Sequence, residues 1–514
     1  MGFIPFFSVE TWTLLITCII LFVVHGYWTY GIFEKLGIPG HKPYMYIGTI
    51  GRGNKIYYFD DNDCAQKFGR VWGMYEFRKP ALVVMDPDML KTILVKESFT
   101  YFTNRRNLNL KGDLYDAVSF VEDDQWKRIR SILSPSFSSG RIKEMFSIMK
   151  HHSRKLTDNL QYDEVIQIKD FFGPYSVDAT VSIAIGVDME SKASSPIISH
   201  AAKLFRFPPL LFLVQAWVPV LVPLMELLHI SFFPKSSTDF IKKIVAKIRE
   251  ERNESSSQNS KDVLQYLINS QTANEGKSQK KGNYHTYTIH AQHLLKCNVF
   301  LSVLTGLTDH EILSQVGMFI FAGYDTSAST LTFLAYNLAR NPEVMKRLQK
   351  EIDVTFPNKG PVQYEDLMQM EYLDCVINES LRLYPVVARL ERVAKESVKI
   401  KGVSIPKGML VIVPVYALHR DPELWPQPEE FRPERFSKEN KQSIKPYTYM
   451  PFGAGPRNCL GMRLALVMIK LVLVEVLQNC SFSVCEETEV PLTMDPQGLM
   501  GSLRPIKLKL VKRE

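Results

Sequence analysis

Apolar and polar positions divide the chain unevenly, and the first division lies at the N-terminus. Thr11 to Phe33 contains no Asp, Glu, Lys or Arg, and Leu14–Val24 is almost wholly apolar. At about 1.5 Å per residue, a helix of this length crosses a bilayer. Trp12, Tyr27, Trp28 and Tyr30 stand near its ends, where interfacial aromatics gather. Lys35 and Lys42 follow it, whereas Met1–Glu10 has no Lys or Arg. The positive-inside rule then puts the N-terminus in the lumen and the rest in the cytosol. A cleavable signal peptide is the rival reading, and the missing basic n-region argues against it. Gly37-Ile38-Pro39-Gly40-His41-Lys42-Pro43 reads as a short stiffened hinge. The pattern predicts a membrane anchor over 1–36, its transmembrane helix at about 11–33, and a globular domain over 37–514.

Within that domain, Thr308-Asp309-His310-Glu311 is a capping box that opens a long helical pattern ending near Asn341-Pro342. Met462–Val474 is mostly apolar and built of good helix formers. Arg206–Pro219 is apolar without clean periodicity, and its prolines break any long helix. Such a segment marks membrane contact or ligand entry when exposed, and plain core when buried. Ser255–Lys281 is polar and rich in Lys, Ser and Gln, a flexible loop.

Composition adds limits. The chain has 514 residues, of which 46% are hydrophobic, enough for one large core. No internal repeat or long linker divides it. The net charge of +8 is modest and spread along the sequence. That excludes a nucleic-acid stripe, although a basic surface suits an acidic partner or anionic lipid. The seven cysteines are odd in number, scattered and free of any C-x-x-C pair. They form no disulfide scaffold and fit a reducing compartment.

Candidate chemistry concentrates in Pro451–Gly461, where Gly453, Gly455 and Gly461 surround one cysteine, Cys459. Glycine allows tight turns and close backbone approach to a flat ligand. A thiolate is a strong axial donor to haem iron, and turn N–H groups, a helix N-terminus and a cation such as Arg457 favour it. A free cysteine in a surface loop is the bland alternative. In Ala322-Gly323-Tyr324-Asp325-Thr326-Ser327, Thr326 shares a helix face with Gly323 and Ala322, leaving room beside its hydroxyl. Asp325 next to it can relay protons, whereas a core helix would bond that Thr back to its own carbonyls. Glu379 and Arg382 at i and i+3 read alone as a surface pair. Trp126 and Arg130 lie on one helix face, and arginine grips carboxylates bidentately.

Together these stretches resemble the cytochrome P450 superfamily. Phe452, Gly455, Arg457, Cys459 and Gly461 match every fixed position of its haem loop F-x-x-G-x-R-x-C-x-G. The other motifs follow in the family's order. Tyr416-Ala417-Leu418-His419-Arg420-Asp421-Pro422 and Arg389-Leu390-Glu391-Arg392 are similar to the vertebrate family 3, subfamily A branch. The resemblance implies a mainly α fold with small β-sheets and a buried haem b held by Cys459. It implies propionate partners among Arg105, Trp126, Arg130, Arg392 and Arg457, and a structural triad of Glu379, Arg382 and Arg435. Asp325 and Thr326 become proton donors, and Ser119, Phe321, Val386, Val387 and Ala388 pocket-lining residues. The implied enzyme is a monooxygenase of the endoplasmic reticulum membrane, its catalytic domain facing the cytosol. It oxidises lipophilic steroids and xenobiotics with electrons from NADPH through cytochrome P450 reductase, with cytochrome b5 as a further partner. A haem-thiolate isomerase acting on peroxides and a non-catalytic haem-binding protein are the alternatives.

One stretch departs from the family. Its polar loop runs almost directly into the equivalent of Leu307-Thr308-Asp309, so the 24 residues Asn283–Gly306 read as an insertion. His285, His290, His293 and Cys297 within it fit no standard metal-site spacing. Their number preserves the reading frame, and both ends can encode splice signals, which makes a retained intron the preferred reading.

Overall fold

The computed structural model describes residues 8–51, 57–188, 196–204, 208–254, 262–279, 306–496 and 499–513. Apart from Gly306, the expected insertion lies outside the described residues, and so do Arg206 and Phe207.

The N-terminal helix α1 spans Val9–Tyr27 and stops short of Phe33. Gly31, at φ 91°, turns the chain into a short second helix, α2, Ile32–Leu36. Phe33 is buried, against the edge of the Tyr75 ring and over Gly73, which has no side chain to obstruct it. The charge-free run therefore divides: its first part is an exposed apolar helix and its last residues join the globule.

The domain is built around one long helix, as its capping box predicts. We number the helices that frame the site α4, Asp123–Leu133; α5, Ser139–Thr157; and α6, Ile168–Ile185, after α3 at Tyr57–Phe68. Two short helices follow, α7, Pro209–Trp217, and α8, Val222–Leu227. Then come the central helix α9, Asp309–Arg340, and α10, Pro342–Thr355; α11, Glu371–Leu383; and α12, Met462–Asn479. Thr308 accepts from Glu311 N at 3.1 Å and Glu311 accepts from Thr308 N at 2.9 Å, so both ends of the box close. Helix α6 packs along α9, and α5 against α12. Their apolar faces merge into the larger core.

A second core lies under a mixed sheet. Its strands are β1, Val71–Glu76; β2, Lys79–Val84; β4, Leu390–Val393; and β7, Leu410–Val413, in the order β1-β2-β7-β4. Strand β3, Val165–Gln167, pairs with β9, Lys507–Lys512, which pairs with β8, Cys480–Ser483. Strands β5, Val398–Ile400, and β6, Val403–Ile405, form a hairpin. The mainly α fold with small sheets is the one expected.

Helices α7 and α8 meet at a bend of 108°, where Pro219 and Pro223 forbid a straight continuation. Leu210, Val220 and Leu227 are 67%, 78% and 74% exposed, so this segment is not core. It lies beside the N-terminal helix: Trp217 Nε1 donates to the Tyr46 carbonyl at 3.2 Å, and the Tyr46 hydroxyl donates to Phe22 O at 2.7 Å.

Candidate functional site

The loop before α12 folds back on itself. Cys459 N donates to Phe452 O at 2.8 Å, Asn458 N to Gly455 O at 3.0 Å and Gly453 N to Met450 O at 2.9 Å. A Cβ on Gly455, at φ 73°, would sit 1.8 Å from Leu94 O. Gly455 thus seats the loop on the neighbouring turn, outside the lining of the cavity. Gly461 has open space beside it and caps the N-terminus of α12.

Cys459 lies deep in the fold, yet it opens onto an internal cavity of about 510 Å³. Burial pushes its thiol up, while backbone N–H groups of Gly461 and Met462 and the guanidiniums of Arg130 and Arg105 pull it down. Arg457, expected to be the helping cation, does something else. Its guanidinium is spent on the carbonyls of Thr103, Val118 and Val121, at 2.8, 3.4 and 2.8 Å, and stacks 4.2 Å from the Trp126 ring centroid.

Arg105, Arg130, Arg392 and Arg457 all border this cavity together with Trp126. Burial and mutual repulsion, with Arg105 the main neighbour, lower Arg392 and Arg457 to about 9, still protonated at neutral pH. Arg392 Nε is buried with no hydrogen-bond partner among the described residues. The adjacent Glu391 carboxylate is taken by Arg106 at 2.7 and 2.9 Å. A cluster of buried cations with an orphaned donor and too few anions fits a dianionic ligand. Haem, with its flat apolar ring and two propionates, fits this cavity and its thiol.

Thr326 also borders the cavity, and its hydroxyl donates to Ala322 O at 2.6 Å. That is the back-bond expected of an ordinary helical Thr, and it leaves the oxygen able to accept a further hydrogen bond. Asp325 turns away from the cavity to an ion pair with Lys169 at 2.6 Å. Ser119, Val386 and Val387 line the cavity as expected. Phe321 does not; it meets the Phe233 ring edge-on at 5.8 Å. Nor does Ala388, which is buried and whose carbonyl accepts from Tyr416 N at 3.1 Å. Adjacent residues on a helix or turn point in different directions, so neither side chain follows its neighbours to the cavity surface. Phe120, Phe137, Ile183 and Ala184 complete an apolar wall that sequence reasoning missed. No motif marks them, because they come from three separate places in the chain, with Ile183 and Ala184 adjacent on α6.

Behind the loop, Arg382 grips Glu379 bidentately at 2.8 and 2.8 Å, and both side chains are fully buried. Arg435 Nε adds a bond to Glu379 at 3.2 Å. Arg382 also donates to His419 O at 2.9 Å, and His419 Nε2 accepts from Met450 N at 3.0 Å. The triad thereby reaches the residue that precedes the cysteine loop.

His419 is held neutral: burial, then Arg382 and Arg420, push it down to about 3. Burial pushes His152 down to about 4. Unfolded histidines titrate near about 6.5, so between about pH 6.5 and 4 the unfolded chain binds protons that the fold refuses. Stability is therefore lost as pH falls through that window, by about 1.4 kcal/mol per pH unit for each histidine. The Tm of the holoenzyme is expected to drop from pH 7 to pH 5, and to drop less steeply in His152→Gln. Parallel curves for the two proteins would refute this account.

Comparison with known proteins agrees with the geometry. The family model described as Cytochrome P450 matches residues 38–512. The chain is 55% identical to Cytochrome P450 3A27 of Oncorhynchus mykiss, an alignment covering 100% of this chain and 96% of that protein. It is 54% identical to Cytochrome P450 3A40 of Oryzias latipes, covering 100% and 99%, and 46% identical to Cytochrome P450 3A29 of Sus scrofa, covering 100% and 99%. With a cysteine loop under a cation-rimmed apolar cavity and full-length relatives of this kind, the chain belongs to the cytochrome P450 family and is a haem-thiolate monooxygenase.

Proposed function

We propose that this enzyme oxidises steroids and other lipophilic compounds at the cytosolic face of the endoplasmic reticulum membrane. The observation that carries the substrate class is the cavity wall: apart from the arginine cluster its surface is mostly apolar, with Phe120, Phe137, Ile183, Ala184, Val386 and Val387 in it. Haem b supplies the oxygen chemistry, with electrons from NADPH through the reductase. Cys459 would hold the iron. Arg105, Arg130 and Arg392, with Trp126, would hold the propionates, and Arg457 would brace the wall behind them.

The proton route uses groups on α9. Thr326 Oγ1, its own proton given to Ala322 O, can accept a hydrogen bond from a water entering the cavity. Asp325, paired with half-exposed Lys169, stands between that helix and solvent. Exposed α1 and the neighbouring α7–α8 bend give two apolar surfaces on one side, which supports monotopic seating beside a single anchor. Cytochrome b5 is a further electron donor in this reading.

The test is direct. Holoenzyme reconstituted with reductase in phospholipid vesicles should show a steroid-induced spectral shift and NADPH-dependent hydroxylation that incorporates labelled O2. A spectral shift without turnover would leave a carrier rather than a catalyst for that class. Full activity without vesicle binding would overturn the membrane placement.

A further inference from the structure

Helices α5 and α6 pack together, and where α6 ends a second set of chemically able side chains meets. His151 and His152 are consecutive on α5. Asp188 follows the last turn of α6, where Gly186, at φ 73°, turns the chain out of the helix. One nitrogen of each imidazole and one carboxylate oxygen of Asp188 all lie within 4.8 Å of one another. None of the three lines the cavity at Cys459.

The three are not equivalent. His152 is only 3% exposed, and its ring is neutral at pH 7. Its Nε2 lies 2.9 Å from Ser182 Oγ, and Ser182 gives its single proton to Val187 O at 2.7 Å. Ser182 must therefore accept from His152, which puts the imidazole proton on Nε2. Nδ1 is left with a bare lone pair, buried and without a hydrogen-bond partner. One ring nitrogen tied to a fixed acceptor and the other bare is the state in which a histidine ligates metal. His151 Nε2 donates to Asp188 Oδ2 at 2.9 Å, and these side chains are 60% and 47% exposed. An ordinary surface pair explains that contact, but it does not account for the orphaned Nδ1 of His152.

We propose that His151, His152 and Asp188 form a zinc site, with Ser182 holding His152 in the ligating tautomer and water in the fourth position. Two imidazoles and one carboxylate are a donor set that suits zinc. Ligands of a tetrahedral zinc stand about 3.3 Å apart when each bond is about 2.0 Å. Two exposed side chains closing on one fixed nitrogen can reach that spacing from within 4.8 Å. Bound zinc would fasten the chain after α6 to α5. Lys155 works against it, since its Nζ lies 3.9 Å from Asp188 Oδ1 and zinc would displace that partner. The site is independent of the haem chemistry proposed above.

The experiment titrates zinc sulfate into holoenzyme previously stripped with a chelator. Calorimetry reads the zinc bound per chain, and Tm is recorded with and without zinc. Wild type is expected to bind one zinc at this site and to gain Tm from it. Ser182→Ala should weaken that binding by about tenfold, the scale of a lost partner behind a metal ligand. Asp188→Asn and His152→Gln should weaken it further, and Lys155→Met should tighten it. Asp188 is exposed, so Asp188→Asn should keep the wild-type Tm in chelator and lose only the gain from zinc. Binding unchanged in Asp188→Asn and His152→Gln would place the zinc on other residues and overturn the proposal. A wild type whose Tm zinc does not raise would overturn it too. Loss of binding in Asp188→Asn but not in His152→Gln would leave only a surface pair and remove the buried ligand on which the proposal stands.

Discussion

Cys459→Ser is expected to abolish the thiolate spectrum of the reduced, CO-bound enzyme and to lower kcat by at least about three orders of magnitude, ~4 kcal/mol on the barrier. Serine is close in size, and the bond from residue 459 N to Phe452 O is a backbone bond that the change leaves alone. The fold should therefore survive. What disappears is a soft, ionisable donor. Burial opposes ionisation at this position, and the Gly461 and Met462 N–H groups with Arg130 and Arg105 offset it. Those groups can hold a thiolate, but a hydroxyl is far too weak an acid for them to ionise. A thiolate on haem iron pushes electron density toward the metal and favours O–O cleavage. The absorption spectrum reads the ligand and NADPH-dependent product formation reads the chemistry. A Soret band at the thiolate position in Cys459→Ser, or undiminished turnover, would remove Cys459 from this role.

Much of this site was legible in the sequence because its parts are contiguous. The cysteine loop, the Thr308 capping box and the Trp126–Arg130 face each lie within a few residues, where local geometry decides the outcome. Less legible were features set by residues distant in the chain. Arg457 sits two residues from Cys459 and reads as its cation, but the carbonyls of Thr103, Val118 and Val121 claim it instead. Asp325 adjoins Thr326, yet consecutive helical positions diverge, and Lys169 on α6 draws it away. The N-terminal run looked uniform from Thr11 to Phe33, and only packing against Gly73 and Tyr75 shows that its end belongs to the globule. The apolar cavity wall has no signature at all, since Phe120, Phe137 and the Ile183–Ala184 pair become neighbours only through the fold.

Arg382→Ala is expected to destabilise the holoenzyme by about 3–5 kcal/mol and to prevent most of it from retaining haem. The cost comes from what the substitution strands. Glu379 would remain fully buried with, among the described residues, only Arg435 Nε at 3.2 Å and Arg432 N at 2.9 Å bonded to it. The carbonyls of His419 and Glu430 would lose donors at 2.9 and 3.1 Å. Through His419, whose Nε2 accepts from Met450 N, the damage reaches the start of the cysteine loop. Removing both charges should cost less than removing one, because the desolvation of Glu379 vanishes with its carboxylate. The pair Glu379→Leu, Arg382→Met should thus be more stable than Arg382→Ala alone. A control stands elsewhere in the same molecule. Glu343 and Lys346 have the same i, i+3 spacing and a 3.0 Å contact, but their side chains are 86% and 70% exposed. Lys346→Ala should be near neutral, since exposed pairs contribute little. Tm and haem content, measured side by side on the three variants, separate the cases. If Arg382→Ala is no worse than Lys346→Ala, burial is not what makes this pair matter. If the double variant is no better than the single, the lost carbonyl contacts outweigh the stranded charge.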